Sequence, residues 1–127
     1  MSYKINTIWL TIAAENVEAL VSFYTQILDQ SPQIQIDDRY AEFRLPQFRL
    51  GIFKPHRGHR EEFHSGTSPA KTPLSLCLEV PNLDQALLRC QKAGATFSGQ
   101  TIEASHGREH YAYDPLGNRI ILYEPAE

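Results

Sequence analysis

Five histidines are the first residues in this chain that could do chemistry, and three of them cluster. His56, His59 and His64 form an H-x2-H-x4-H run that also holds Glu61 and Glu62, donor types that a divalent metal accepts. Pro55, Gly58 and Gly66 punctuate the run, so it reads as a solvated flap rather than a helix face converging on an ion. His106 and His110 are four apart beside Gly107-Arg108 and read as a loop followed by the start of a strand. Glu79 with Arg49 or Arg119 offers two readings: a buried pair whose raised carboxyl serves as a base, or a salt bridge at a rim. Cys77 has no activating base near it in sequence and reads as an inert small residue. No nucleophile elbow, phosphate-binding glycine loop or zinc-ribbon spacing is present.

Composition narrows the classes. The 127 residues carry a formal charge of −3, with 42% apolar and 21% charged residues, which is ordinary globular composition. A single domain spanning 1–127 is the expectation. No basic excess argues for nucleic acid, no apolar run approaches the ~20 residues that span a bilayer, and Met1 to Asn6 holds no signal-peptide core. The two cysteines, Cys77 and Cys90, form no CxxC pair and imply a reduced, cytoplasmic protein without a disulfide framework.

The elements that must position these residues repeat. Thr7 to Ala13 alternates as a strand; Asn16 offers an N-cap; and Val17, Leu20, Val21, Tyr24 and Leu28 recur at helical spacing over Val17 to Leu28. Pro32 bars continuation, and Ile34 to Ile36, Tyr40 to Leu45 and Phe48 to Phe53 read as strands. Leu74 to Val80, the Asn82 cap with Gln85, and a helix over Leu83 to Ala93 closed by Gly94 repeat the opening at an offset of 66 (82 − 16). Leu50 to Pro55 is echoed by Ile120 to Pro125 at an offset of 70 (120 − 50). Thr96-Phe97 to Ile102 and His110 to Tyr113 supply the middle strands, with Ala104 to Glu109 as a loop between them. The last strand follows the turn Asp114-Pro115-Leu116-Gly117-Asn118. The chain is thus two β-α-β-β-β copies: module 1 at about 5–55, a linker at about 56–72, and module 2 at about 73–125.

The strand faces differ in character. Ile8, Leu10, Ile12, Leu50, Ile52, Leu76, Leu78, Val80, Ile120 and Leu122 suit packing beneath two helices. The opposite set, which includes Trp9, Arg49, Phe53, Ser75, Glu79, Arg119 and Tyr123, has the aromatic and polar mixture of a ligand cleft.

With these residues in place, the chain resembles the vicinal oxygen chelate superfamily, which includes glyoxalase I, the bleomycin resistance proteins and extradiol dioxygenases. Ile8 to Ile12 leading to the Phe23-Tyr24-x-x-x-Leu28 helix, Leu76 to Asn82, and the Asp114 to Asn118 turn carry the resemblance. It implies an α+β fold of two tandem βαβββ modules forming a curved mixed sheet around a cleft, usually in a homodimer. It also implies a divalent metal, but the family's ligand positions fall on Trp9, Gly51, Ser75 and Ile121, none a conventional donor. We therefore expect no cofactor, with a divalent metal on nonstandard ligands as the alternative. The region of His110, Tyr111 and Tyr113 lines the cleft mouth in that family. The expected ligand-binding set is Trp9, Arg49, Phe53, Ser75, His110, Tyr113, Arg119 and Tyr123, with Glu79 as the one candidate base. The expected function is binding of a small organic molecule in an aromatic cleft. The alternatives are a metal-dependent lyase, dioxygenase or isomerase, and a non-catalytic interaction module.

Overall fold

The computed structural model describes residues 3–63 and 71–127. In module 1 the order is β1 (Leu10–Ala13), α1 (Val17–Leu28), β2 (Ile34–Ile36), β3 (Tyr40–Leu45) and β4 (Phe48–Phe53). A 3-10 helix over Arg57–Phe63 follows. Module 2 holds β5 (Leu76–Glu79), α2 (Leu83–Ala93), β6 (Thr96–Ala104), β7 (Gly107–Tyr113) and β8 (Arg119–Pro125). Two four-stranded sheets result, ordered β1-β4-β3-β2 and β5-β8-β7-β6. In each, the first strand runs parallel to the last, and the remaining pairs are antiparallel. The βαβββ repeat expected from the offsets is therefore present in both connectivity and register.

Local chemistry explains why the helices start and stop where they do. Asn16 and Asn82 take extended backbone angles and accept from Ala19 N and Gln85 N, satisfying amides that each helix leaves open. α2 ends on Gly94 at φ 110°, a left-handed conformation that costs glycine little. α1 ends on Asp29, also left-handed at φ 55°. Val17, Leu20 and Val21 of α1 pack on Leu50, Ile52, Ala41 and Phe43; Leu83 and Cys90 of α2 pack on Ile120, Leu122 and Ala112. The helices also pack on each other, and one continuous buried cluster draws on both modules. A fully buried Leu or Ile of this kind contributes about 1.5–3 kcal/mol relative to exposure.

One buried polar contact ties the modules together. Tyr24 of α1 donates its hydroxyl to Asp114 Oδ2 at 2.7 Å. The other oxygen of Asp114 accepts from Leu116 N at 2.9 Å and Asn118 N at 3.0 Å, and the Asn118 amide donates to both. The Asp-Pro-Leu-Gly-Asn turn is thus a saturated carboxylate, only 2% exposed, with its last donor supplied from the other module.

Four boundaries differ from the sequence reading. β1 starts at Leu10 rather than Thr7, and Ile8 is 80% exposed instead of packing beneath α1. Pairing with β4 begins at Leu10 opposite Leu50, although β4 itself starts two residues earlier at Phe48. β5 runs from Leu76 to Glu79, leaving Leu74, Ser75 and Val80 outside. The polar stretch Ala104 to Glu109 is not a loop but a tight hairpin, because β7 pairs from Gly107 onward with β6 on one side and β8 on the other. The linker contains the 3-10 helix, anchored by an edge-on contact of Phe63 with Phe53 and by Arg60 on Glu15.

Candidate functional site

Strand alternation gives each sheet one face packed on its helix and one face turned away from it. On the open face of module 1, the register aligns Thr11, Gly51 and Glu42 in one row, with Arg49 and Arg44 in the next. On the open face of module 2 it aligns Cys77, Ile121 and Tyr111, with Arg119 and Tyr113 in the equivalent next row. Arg49 and Arg119 therefore occupy corresponding places, as do Glu42 and Tyr111.

Module 1 fills its own open face. Tyr40 donates to Glu42 Oε1 at 2.7 Å, and Arg44 Nε donates to Glu42 Oε2. Glu42 is 5% exposed. The Arg44 hydrogen bond, then that from Tyr40, holds its carboxyl below the usual range, with Arg49 adding a weaker pull. Burial, then Glu42, pushes the Tyr40 phenol up. A Cβ on Gly51 would lie 3.0 Å from Tyr40 Oη and 3.3 Å from Trp9 Nε1, so these groups occupy the space beside that glycine. Trp9 closes the row and is 44% exposed. Tyr40, Glu42 and Arg44 were not singled out from the sequence, although Ala41, Phe43 and Leu45 alternate with them and mark them as the open-face set.

Module 2 is built differently. Arg119 donates from Nη1 to Thr72 O at 2.8 Å and Ser75 Oγ at 2.9 Å, and from Nη2 to Thr72 O at 2.9 Å. Tyr113, 7% exposed, places its hydroxyl 3.5 Å from Ser98 Oγ. Its phenol is shifted below the ordinary value by the Ser98 hydrogen bond first, and also by Arg119. Tyr123 donates to His106 O at 2.7 Å and lies over the His106 ring.

The expected ligand residues thus divide. Trp9, Arg49 and Phe53 belong to the first sheet, and Ser75, Tyr113, Arg119 and Tyr123 to the second. His110 does not join them. It pairs with Leu122 on the helix-packed side, bonds Thr101 Oγ1 through Nδ1 at 2.9 Å, and meets Phe97 edge-on. The strand start at Gly107 rather than at His110 does not alter that parity: Tyr111 and Tyr113 face one way and His110 the other. Glu79 is exposed and has no ion-pair partner among the described residues; Arg119 is committed to Thr72 and Ser75 instead. His56 and His59 lie at the 3-10 helix, where His59 pairs with Glu62. His64 lies outside the described residues. Among the described residues, no three His, Cys, Asp or Glu side chains gather as a metal would require.

Between the unpaired edges of β1 and β5 lie two cavities. One, of about 490 Å³, is bounded by Leu10, Leu45, Phe48 and Leu50 on one side and by Ser75 to Glu79 on the other. The second, of about 510 Å³, is bounded by Thr11, Phe63, Ser75, Asn118 and Arg119, with Glu62 at its wall. Both fall in the range of small-ligand pockets, roughly 300–1,000 Å³. Trp9, Phe53, Tyr113 and Tyr123 line neither cavity; the aromatic side chains that do are Phe48 in the first and Tyr24 and Phe63 in the second.

The comparisons agree with this architecture. The sequence profile of the Glyoxalase-like domain matches residues 9–123. No curated protein matches the chain. A glyoxalase/bleomycin resistance protein/dioxygenase family enzyme from Burkholderia phytofirmans PsJN superposes with a TM-score of 0.76 at 16% identity, over 93% of this chain and 97% of that one. A glyoxalase-related enzyme from Fulvimarina pelagi gives 0.73 at 16% identity, over 94% and 88%. A glyoxalase/bleomycin resistance protein from Albidiferax ferrireducens T118 gives 0.70 at 16% identity, over 92% and 96%. At these identities the structural likeness concerns the fold.

Proposed function

The chain belongs to the glyoxalase-like domain family of the vicinal oxygen chelate superfamily, and from that premise we propose that it binds a small organic molecule without the family's divalent metal. The observation that carries the reading is the space beside Gly51. At one family ligand position there is no side chain, and Tyr40 and Trp9 stand where one would reach. Trp9 offers only an N–H donor and Ile121 offers no donor, so neither supplies the lone pair that a cation requires. Aromatic area on the open sheet faces, from Trp9, Tyr113 and Tyr123, supports a ligand with a planar or apolar body.

The same proposal includes a homodimer. Ile8, Trp9 and Leu10 are exposed beside the unpaired edge of β1, the kind of surface that a second copy covers. No helix is long and apolar enough to cross a membrane. The two free cysteines support a reduced, cytoplasmic setting.

Trp9 is the only tryptophan, so its fluorescence reports on one place. Screening small organic molecules by thermal shift, with that fluorescence as a second readout, should find compounds that raise the melting temperature and change Trp9 emission together. Protein purified without a tag should contain no stoichiometric divalent metal, and chelator should leave its melting temperature unchanged. Stoichiometric metal lost together with stability would overturn the metal-free reading.

A further inference from the structure

Arg119 is a guanidinium held in place with part of its donor set unused by acceptors of the described residues other than Tyr113. Of its five N–H donors, both on Nη1 and one on Nη2 go to Thr72 O and Ser75 Oγ. These acceptors are neutral, and among the described residues no carboxylate lies within ion-pair distance of Arg119. Among the described residues the Nε–H and the second Nη2–H, which lie on the same side of the guanidinium, meet only the neighbouring Tyr113 phenol. That pair is the fork that matches the two oxygens of a carboxylate. Because Thr72 and Ser75 already fix the side chain, little rotamer freedom is lost when the fork is used.

Module 1 shows what a phenol and a guanidinium Nε hold together in this fold: the carboxylate of Glu42, taken by Tyr40 and Arg44. Module 2 repeats a guanidinium and a phenol, Arg119 and Tyr113, in the row corresponding to Arg49 and Arg44. At the place of Glu42 it has Tyr111, which is not an acid. The acids on this face, Glu79 and Glu109, pair with Tyr123 in a row two further along. At about 3.3 Å per residue, that row is roughly 13 Å from Arg119 along β8. Cys77, Ile121 and Tyr111 form the less polar row between them. The face is therefore positive at one end, apolar in the middle and negative at the other, and it admits an anionic group only near Arg119. Glu62 approaches the adjoining cavity but is engaged by His59.

We propose that Arg119, with Tyr113 beside it, is the recognition site for the carboxylate of a small aromatic or apolar acid lying across Tyr111 and Ile121. This rests on the ligand-binding reading above and narrows it to a ligand class.

The test is a pair of nearly isosteric probes, one with a charged carboxylate and one with a neutral amide: 3-phenylpropionate and 3-phenylpropanamide, titrated into isotopically labelled full-length protein by NMR. The carboxylate should shift the Arg119 Nε–H and the Tyr111 and Tyr113 signals, and should bind about tenfold more tightly than the amide. Arg119→Gln should abolish that preference while leaving amide binding within about twofold, and Tyr113→Phe should weaken the carboxylate several-fold with the fold intact. Arg57→Gln, which removes an exposed charge from the 3-10 helix, should change neither. Equal affinity for the two probes, or a preference that survives in Arg119→Gln, overturns the carboxylate site. If equal affinity comes with shifts on this face, ligand binding stands and only the class is wrong. If neither probe shifts the Tyr111 and Tyr113 signals, both readings fall. Should Arg119→Gln unfold, Tyr113→Phe carries the test, and an unchanged carboxylate preference there overturns the proposal.

Discussion

Tyr24 does two jobs with one side chain: its ring sits in the core at 1% exposure, and its hydroxyl closes the Asp114 turn. Removing only the hydroxyl, in Tyr24→Phe, should cost about 1.5–3 kcal/mol, the usual range for a hydrogen bond to a charged group, measured by denaturant unfolding. Burial first, and the Asp114 charge second, raise this phenol well above its ordinary value of 10.0. The protonated form is thus favoured by folding. Its contribution is complete below pH 10 and is lost as pH rises from there through the folded value. Wild type should therefore lose stability relative to Tyr24→Phe across that alkaline window, and parallel pH curves for the two would contradict the assignment. The cysteines give a second residue-level prediction. Cys90 is buried and its thiol is pushed up to about 11 by that burial, whereas Cys77 is exposed on the open face of module 2. Iodoacetamide on native protein should alkylate Cys77 and spare Cys90, and a ligand lying across Ile121 should slow the reaction at Cys77. Peptide mapping by mass spectrometry reads both.

At the level of elements, both helices and strands β2, β3 and β4 were legible in sequence to the residue, whereas the ends of β1, β5, β6 and β7 were not. α1 and α2 announce themselves through Asn caps and apolar spacing, all local information. β6 and β7 run on past their apolar residues because they pair up to Ala104 and Gly107, and β7 also pairs along β8, which lies further along the chain. Polar Ala104 to Glu109 looks like a loop, but the pairing of Gly107 with Ala104 and Pro125 overrides that composition. Gly107 is the position where the hairpin depends on glycine. It has φ 149°, and a Cβ there would stand 2.3 Å from the Glu124 carbonyl oxygen. Gly107→Ala should destabilise by more than about 2 kcal/mol, since backbone must move to admit the methyl group. A melting temperature equal to wild type would show that the close approach of β7 to β8 is not required.

For the molecule as a whole, the duplication was visible because caps, helix phase and terminal prolines recur, and the structure carries it into the sheet register. What sequence did not show was how differently the two halves use equivalent places. Glu42 and Tyr111 correspond only through strand pairing, and no offset counted along the chain aligns them: 111 − 42 is 69, between the two offsets found from the ends. The opposite facing of His110 and Tyr113, by contrast, was legible in sequence, since three residues of separation in one strand put them on different faces. Because the buried cluster is continuous across both modules, the halves should not stand alone. A fragment ending at Phe63 should be largely unfolded by circular dichroism, and mixing it with a fragment starting at Lys71 should restore a cooperative melt. Independent melts for the two fragments would show that the shared core adds little.

The Tyr24 to Asp114 bond also sets an order of events. Its partners are separated by 90 residues, so closing it requires a large loop to form first. The turn that presents Asp114 closes on its own local hydrogen bonds, whereas the bond to Tyr24 needs both modules in place. On loop-closure grounds we expect that contact to form late, after the rate-limiting ensemble. Deleting the hydroxyl should leave the refolding rate nearly unchanged and speed unfolding by most of the lost stability. The side chain that joins the two copies would then act as a latch on the finished protein, governing how long it stays folded rather than how fast it gets there.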